Sequence, residues 1–174
     1  MEILITREQI DAAVAQMGQQ ISHDFAGESV VLVGVLKGAC IFLSDLARQI
    51  SLDATFDFIA VRSYGDKKES TGEVQLIKDV TTRLQDRNVI LVEDILDTGY
   101  TLTFLKKVLG ARQPKALKIA ALLDKTSRRV VPIGADYVGF VIPDKFVVGY
   151  GLDFDERYRN LPDVCVLPDG AAAG

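Results

Sequence analysis

Asn88-Val89-Ile90-Leu91-Val92-Glu93-Asp94-Ile95-Leu96-Asp97-Thr98-Gly99-Tyr100-Thr101-Leu102 is the stretch of this 174-residue chain that decides its fold. Asn88 to Glu93, apolar from Val89 to Val92, reads as a buried-type strand, covered on both faces in a parallel sheet. Asp97-Thr98-Gly99 is turn-rich. Beyond it, Leu102, Leu105, Val108 and Leu109 recur at helical spacing, so a helix is expected from near Thr101. Strand, turn and helix in this order form one half of a βαβ unit.

Outward from this stretch the same alternation continues. Thr6-Arg7-Glu8-Gln9 reads as a capping box, Gln9 answering Thr6 from three residues on. The helix it opens would bury Ile10, Val14, Met17 and Ile21 and stop at Gly27. Ser29 to Leu36 is a second buried-type strand, followed by a helix from about Ala39 to Ile50 burying Ile41, Phe42, Leu46 and Ile50. Thr55 to Tyr64 reads as a strand, with a short return from Val74 to Val80. Leu117 to Leu123, Tyr137 to Ile142 and Phe146 to Tyr150 complete the strands. The expected class is α/β, a mostly parallel central sheet flanked by helices, in one domain over residues 1–174. The last third is more β-rich and irregular, and residues 171–174 read as a frayed tail.

Composition narrows the function. Hydrophobic residues make up 48% and charged residues 25% of the chain, and the formal net charge is −4. A dedicated nucleic-acid binder carries a basic excess to release counterions from phosphates, and none is present. No apolar run approaches the roughly 20 residues of a membrane span, and the N-terminus does not read as a signal peptide. A cytoplasmic location is the default. Cys40 and Cys165 form no CxxC pair. The single histidine, His23, reads as a solvated helix residue, which argues against histidine-based triads.

Glu93, Asp94 and Asp97 fall together where the apolar strand runs out, and ligands of open α/β sheets bind at strand carboxyl ends. Gly99 allows close backbone approach. The first amides of the following helix lack internal acceptors and favour a phosphate. The hydroxyls of Thr98 and Thr101 add donors. Carboxylates beside a phosphate cradle make sense when they face ribose hydroxyls and a hard cation such as Mg²⁺. Acidic residues complementing a helix dipole would explain Asp97, but not Glu93 and Asp94 on the strand.

Val92 to Leu102 resembles the phosphoribosyl-pyrophosphate signature of type I phosphoribosyltransferases. Val33-Gly34-Val35-Leu36-Lys37-Gly38 is similar to the pyrophosphate loop of the hypoxanthine-guanine subfamily. Leu122-Leu123-Asp124-Lys125 and Ile142-Pro143-Asp144-Lys145-Phe146-Val147-Val148-Gly149-Tyr150-Gly151-Leu152-Asp153 resemble its base-recognition segments, and Tyr158-Arg159-Asn160-Leu161-Pro162 fits as well. The resemblance spans residues 30–162 in the family's order. It implies a small irregular β-rich hood built from the N- and C-terminal segments.

The resemblance also implies transfer of a 5-phosphoribosyl group from phosphoribosyl pyrophosphate to hypoxanthine or guanine, in purine salvage. Glu93 and Asp94 would hold the ribose hydroxyls, directly or through Mg²⁺, with Asp153 as a further metal contact. Asp97 would be the general base at purine N7, and Thr98, Gly99, Tyr100 and Thr101 the 5-phosphate cradle. Tyr100 stands where related sequences often carry lysine or asparagine. Lys37, Gly38 and Arg159, with Ser63 and Tyr64, would hold pyrophosphate, the peptide before that lysine often being cis in this family. Ser63, Tyr64 and the polar stretch Gly65 to Glu73 match a loop that closes over the reaction and excludes water. Lys125 would donate to the 6-oxo group, Phe146 would stack on the purine, Val147 would read its edge by backbone, and Asp153 would lie at the purine too. Such enzymes form homodimers or homotetramers. Two other readings are a phosphoribosyltransferase-fold regulator that binds RNA or DNA and a xanthine-preferring enzyme; hypoxanthine, guanine and xanthine share the 6-oxo group.

Overall fold

A computed structural model describes residues 1–64 and 72–168. The elements are β1 (Glu2–Ile5), α1 (Arg7–Asp24), β2 (Val30–Leu36), α2 (Cys40–Gln49), β3 (Ala54–Tyr64), β4 (Glu73–Lys78), β5 (Asn88–Leu96), α3 (Tyr100–Gly110), β6 (Ala116–Asp124), β7 (Tyr137–Val141), β8 (Val147–Val148) and β9 (Val164–Val166). A 3₁₀ turn, Thr126–Arg128, follows β6.

One sheet has the order β4-β3-β2-β5-β6-β7 and is parallel except for the β3–β4 pair. β2 runs VVLVGVL, and its alternate residues serve opposite faces. Val30 and Leu32 pack with Phe42, Leu43 and Leu46 of α2 and Ile10 and Ile21 of α1. Val31, Val33 and Val35 join Leu102, Leu105 and Leu109 of α3. Each such fully buried aliphatic side chain contributes about 1.5–3 kcal/mol. A charge in the middle of β2 would therefore disrupt one helix–sheet layer whichever face it met.

The chain leaves β2 toward β3 on one side, and β5 returns on the other. The order thus reverses between β2 and β5. Loops leaving their carboxyl ends diverge there and open a crevice.

The capping box at α1 forms: Gln9 N–H donates to Thr6 Oγ1 at 3.3 Å, and Thr6 N–H donates to Gln9 Oε1 at 2.8 Å. In α2 it is Leu43 that is fully buried with Phe42 and Leu46, whereas Ile41 is only partly covered. β5 runs beyond Glu93 to Leu96, because β6 keeps pairing with it through Ile95↔Leu123 and Leu96↔Asp124. The strand expected over Phe146 to Tyr150 shrinks to Val147–Val148. Gly149, Tyr150 and Gly151 take φ of 97°, 50° and 99° and turn the chain away.

A three-stranded antiparallel sheet, β1-β9-β8, joins the two ends of the chain. β1 and β9 were not expected. Each is very short, and each is stabilised by a partner at the opposite end of the sequence. Arg7 N–H donates to Asp163 Oδ1 at 2.7 Å and strengthens that junction. Residues 65–71 and 169–174 lie outside the described residues.

Candidate active site

The carboxyl ends of β2 and β5 meet at a cleft of about 300 Å³, lined by Ser63, Glu93, Asp94, Asp97, Thr98 and Thr101 among others. Glu93 is 6% exposed, and Asp94 N–H donates to its Oε1 at 3.3 Å. Burial pushes the Glu93 carboxyl well above the ordinary carboxylate range, and the like charge of Asp94 adds to this. Burial raises Asp94 as well, opposed by hydrogen bonds from Glu93 and the Ile95 amide and by the charge of Arg159. Two adjoining buried carboxyls of this kind favour a cation.

The tie between the two loops is steric. A methyl group at Gly38 would lie 1.9 Å from Asp94 Oδ2. Only glycine lets the turn after β2 sit against this carboxylate. The Leu36–Lys37 peptide is cis, a point the sequence left open.

Past β5, Asp97-Thr98-Gly99 leads into α3. Gly99 is the N-cap residue, with φ 93° and no side-chain capping bond. A Cβ there would meet Ile133 Cγ2 at 2.6 Å and Val131 Cγ2 at 2.8 Å. Thr98 C=O accepts from Val130 N–H at 2.9 Å and Val131 N–H at 3.2 Å. Arg129 Nε donates to Asp97 C=O at 3.0 Å, and its guanidinium pairs with the Asp124 carboxylate. The loop is thus held from behind, and the first-turn amides of α3 remain for an anion.

Asp97 faces cations not foreseen from sequence. Arg128 Nε lies 3.0 Å from Asp97 Oδ1. It is off the line of a hydrogen bond, so this buried oxygen has an ionic partner but no hydrogen-bonded one. Arg128 Nη1 is 3.7 Å from Asp144. Lys125, just past the end of β6, is 5% exposed, and its ammonium makes no hydrogen bond among the described residues. Burial lowers its pKa, while Asp97 and Asp144 act to raise it. The Lys125 amide donates to Leu96 C=O at 2.9 Å, which sets the residue beside the end of β5.

Phe146 is 52% exposed and meets Phe154 edge to face at 5.7 Å, so it is not a core residue. Val147 is buried and paired with Val166 of β9. Arg159 Nη1 donates to Gly151 C=O at 2.8 Å, and Nη2 lies 3.1 Å from Asp153 Oδ1. Lys37 Nζ meets Glu156 Oε2 at 2.6 Å, a partner not foreseen. Ser63 lines the cleft and Tyr64 ends β3; residues 65–71 of the polar stretch behind them lie outside the described residues, and its last residue, Glu73, opens β4. Tyr100 opens α3. His23 is exposed in the last turn of α1, as expected.

No group of three acidic, histidine or cysteine side chains among the described residues is arranged to hold a metal. Asp153 turns to Arg159 and does not join Glu93 and Asp94. The buried Glu93–Asp94 pair still fits Mg²⁺, which takes one or two carboxylates and fills its shell with water and substrate oxygens.

The phosphoribosyl transferase domain model matches residues 5–155. The chain belongs to the phosphoribosyl transferase family. Within it, the chain is 46% identical over 168 residues to a hypoxanthine-guanine phosphoribosyltransferase of Streptococcus thermophilus, covering 97% of this chain and 93% of that one. It is 46% identical over 166 residues to the Staphylococcus aureus enzyme of the same name, covering 95% and 93%. A crystal structure of the Bacillus anthracis hypoxanthine-guanine phosphoribosyltransferase, with HEPES in its active site, superposes with a TM-score of 0.93 at 49% identity, covering 97% of this chain and 99% of that one. The phosphoribosyltransferase fold expected from the sequence is therefore the observed one, and its small β-rich hood takes the form of the antiparallel sheet β1-β9-β8.

Proposed function

We propose that this phosphoribosyltransferase transfers the 5-phosphoribosyl group from phosphoribosyl pyrophosphate to hypoxanthine and guanine, giving IMP or GMP and pyrophosphate. The observation that carries this reading is the convergence, on adjoining strand ends, of a phosphate-ready helix start, the adjoining carboxyls of Glu93 and Asp94, and the largely buried Lys125, whose ammonium has no hydrogen-bond partner among the described residues. The hypoxanthine-guanine enzymes 46% identical over nearly the whole chain support the choice of base.

Each role follows from local chemistry. Glu93 and Asp94 would bind ribose hydroxyls, and the amides and hydroxyls from Thr98 to Thr101 the 5-phosphate. Lys37, Gly38 and Arg159 would receive pyrophosphate. As a purine nitrogen attacks the anomeric carbon, the bond to the pyrophosphate oxygen breaks and positive charge builds on the sugar, as in glycoside cleavage. Asp97 would take the proton from N7. Lys125 would donate to the 6-oxo group, a bond that an amino group cannot accept, so adenine is rejected. Phe146 would stack on the ring and Val147 would read its edge by backbone. Bound Mg²⁺, held by Glu93 and Asp94, would supply charge neutralisation for the pyrophosphate.

The proposal extends to a cytoplasmic homodimer or homotetramer. Cys40 and Cys165 are both free thiols, which suits a reducing compartment. Among the described residues no helix is long and apolar enough to cross a membrane. Phe56 and Ile77, more than half exposed on β3 and β4, offer apolar surface for a second copy. Sedimentation velocity tests the assembly.

Steady-state pyrophosphate release with hypoxanthine, guanine, xanthine and adenine, with and without Mg²⁺, tests the activity. Turnover of hypoxanthine and guanine that needs Mg²⁺, with adenine inert, is expected. No turnover of any oxopurine would overturn the reading, and preference for xanthine would redirect it.

A further inference from the structure

Lys37 and Arg159, the cations read as holding pyrophosphate, already share an anion. Glu156 Oε2 lies 2.6 Å from Lys37 Nζ, and Glu156 Oε1 lies 3.0 Å from Arg159 Nη2. We infer that Glu156 is an affinity-setting residue of the pyrophosphate subsite, an internal carboxylate that the diphosphate of the substrate must displace. On product release it takes back both cations. This deepens the proposed reading of Lys37 and Arg159 and rests on it.

The geometry is that of a bridge, one carboxylate oxygen to each cation. It is the only ion pair that Lys37 makes among the described residues. A tight turn presents the bridge: Phe154 and Arg157 exchange backbone hydrogen bonds of 3.1 and 3.0 Å. Asp155 and Glu156 take φ of 51° and 62°, a conformation that non-glycine residues adopt only when their surroundings impose it. Asp153 Oδ2 accepts the Glu156 amide at 2.9 Å and fixes the turn to the strap that carries Arg159's other partners.

Whether the carboxylate competes or merely positions depends on what else holds the cations. Arg159 is anchored independently by Gly151 C=O and Asp153. The turn at Lys37 is held by Ala39 N–H to Val35 C=O and Cys40 N–H to Lys37 C=O, both 3.1 Å. Arg159 does not need Glu156 for its place, and neither does the backbone of Lys37. The side chains of Lys37 and Glu156 are 67% and 62% exposed, so the pair is in fast contact with solvent and contributes little to the fold. A multiply charged diphosphate entering beside this carboxylate meets its repulsion and finds the same donors taken. Competition is therefore the dominant effect.

The test uses calorimetric titration of the full chain with inorganic pyrophosphate and Mg²⁺, alongside steady-state kinetics. Glu156→Gln keeps the shape and removes the charge. Glu156→Asn is too short to bridge and tolerates the left-handed backbone. Both should tighten pyrophosphate binding about 3- to 10-fold, the range expected from releasing two exposed ion pairs. The KM for phosphoribosyl pyrophosphate should fall in step, while the KM for hypoxanthine stays unchanged. Lys37→Ala, run in parallel, should weaken pyrophosphate binding. If it does and the Glu156 variants bind pyrophosphate equally or less well, the inference is overturned and the subsite reading stands. If Lys37→Ala leaves pyrophosphate binding untouched, the subsite reading itself falls, and the inference with it.

Discussion

At Asp97 one carboxylate is engaged from several sides. Arg128 sits against Oδ1, Lys125 is close enough to feel its charge, and its backbone C=O is tied to Arg129. A carboxylate so fixed can accept a proton from a ring nitrogen without reorganising. Asp97→Asn should lower kcat by about 10²- to 10⁴-fold, the usual worth of a general base, while the KM for phosphoribosyl pyrophosphate changes little. Equal loss in both would make Asp97 a binding residue. Lys125→Ala should raise the KM for hypoxanthine at least about tenfold, the worth of a hydrogen bond from a charged group; unchanged base kinetics would refute its role. Much of this site was legible in sequence because its acids and turn residues lie within one short segment. Arg128 was not. Its position depends on the turn after β6 reaching back over β5, a contact between distant segments that leaves no local pattern. The need for glycine at position 38 was hidden in the same way, since the obstructing Asp94 comes from another strand.

Among the elements, the strands buried on both faces were the easiest to read, and strand ends the hardest. β5 gains its last residues from the ladder with β6, and β8 loses residues to the positive-φ turn behind it. The crossing after β4 depends on Asp57 of β3. Its carboxylate accepts from the amides of Phe58, Thr81 and Thr82 at 2.7–2.8 Å. Burial pushes this carboxyl up, but the hydrogen bonds from Thr82, Phe58 and Thr81 outweigh it and bring the pKa to about 2 from 3.8. A group whose folded pKa lies below its unfolded one stabilises the fold above the unfolded value and loses that contribution as pH falls through the folded one. The contribution is on the order of 2 kcal/mol. Asp57→Asn should therefore lower Tm at pH 6, and the gap to the parent chain should close between pH 4 and 2. A gap unchanged across that window would mean that the carboxylate charge is not what holds the loop.

For the whole molecule, the small sheet and the large one are joined through Asp45 of α2. Tyr150 donates its hydroxyl to Asp45 Oδ2 at 2.5 Å, Arg7 reaches the same oxygen at 3.1 Å, and Arg7 also lies 5.4 Å over the Tyr150 ring. Burial and Asp45 together push the Tyr150 hydroxyl far up, so it stays protonated and keeps donating. Tyr150→Phe should cost about 1.5–3 kcal/mol, as expected for a hydrogen bond to a charged acceptor. Because Tyr150 follows Phe146 and Val147 closely, it should also raise the KM for the purine more than that for phosphoribosyl pyrophosphate. Thermal melts and kinetics on one preparation check both parts. A Tm loss with both KM values unchanged would limit the contact to stability.

The pairing of Glu2–Ile5 with Val164–Val166 also governs the order in which the molecule can be made. During translation β1 emerges long before its partner, with β2 to β8 made in between. β2 to β6 can condense meanwhile, since all of them precede β8 and β9 in the chain. A nascent chain stopped short of Val164 would carry the sugar-phosphate half of its cleft without the backing strand for Val147 and Val148. Closure of the purine side thereby waits until β9 has been made.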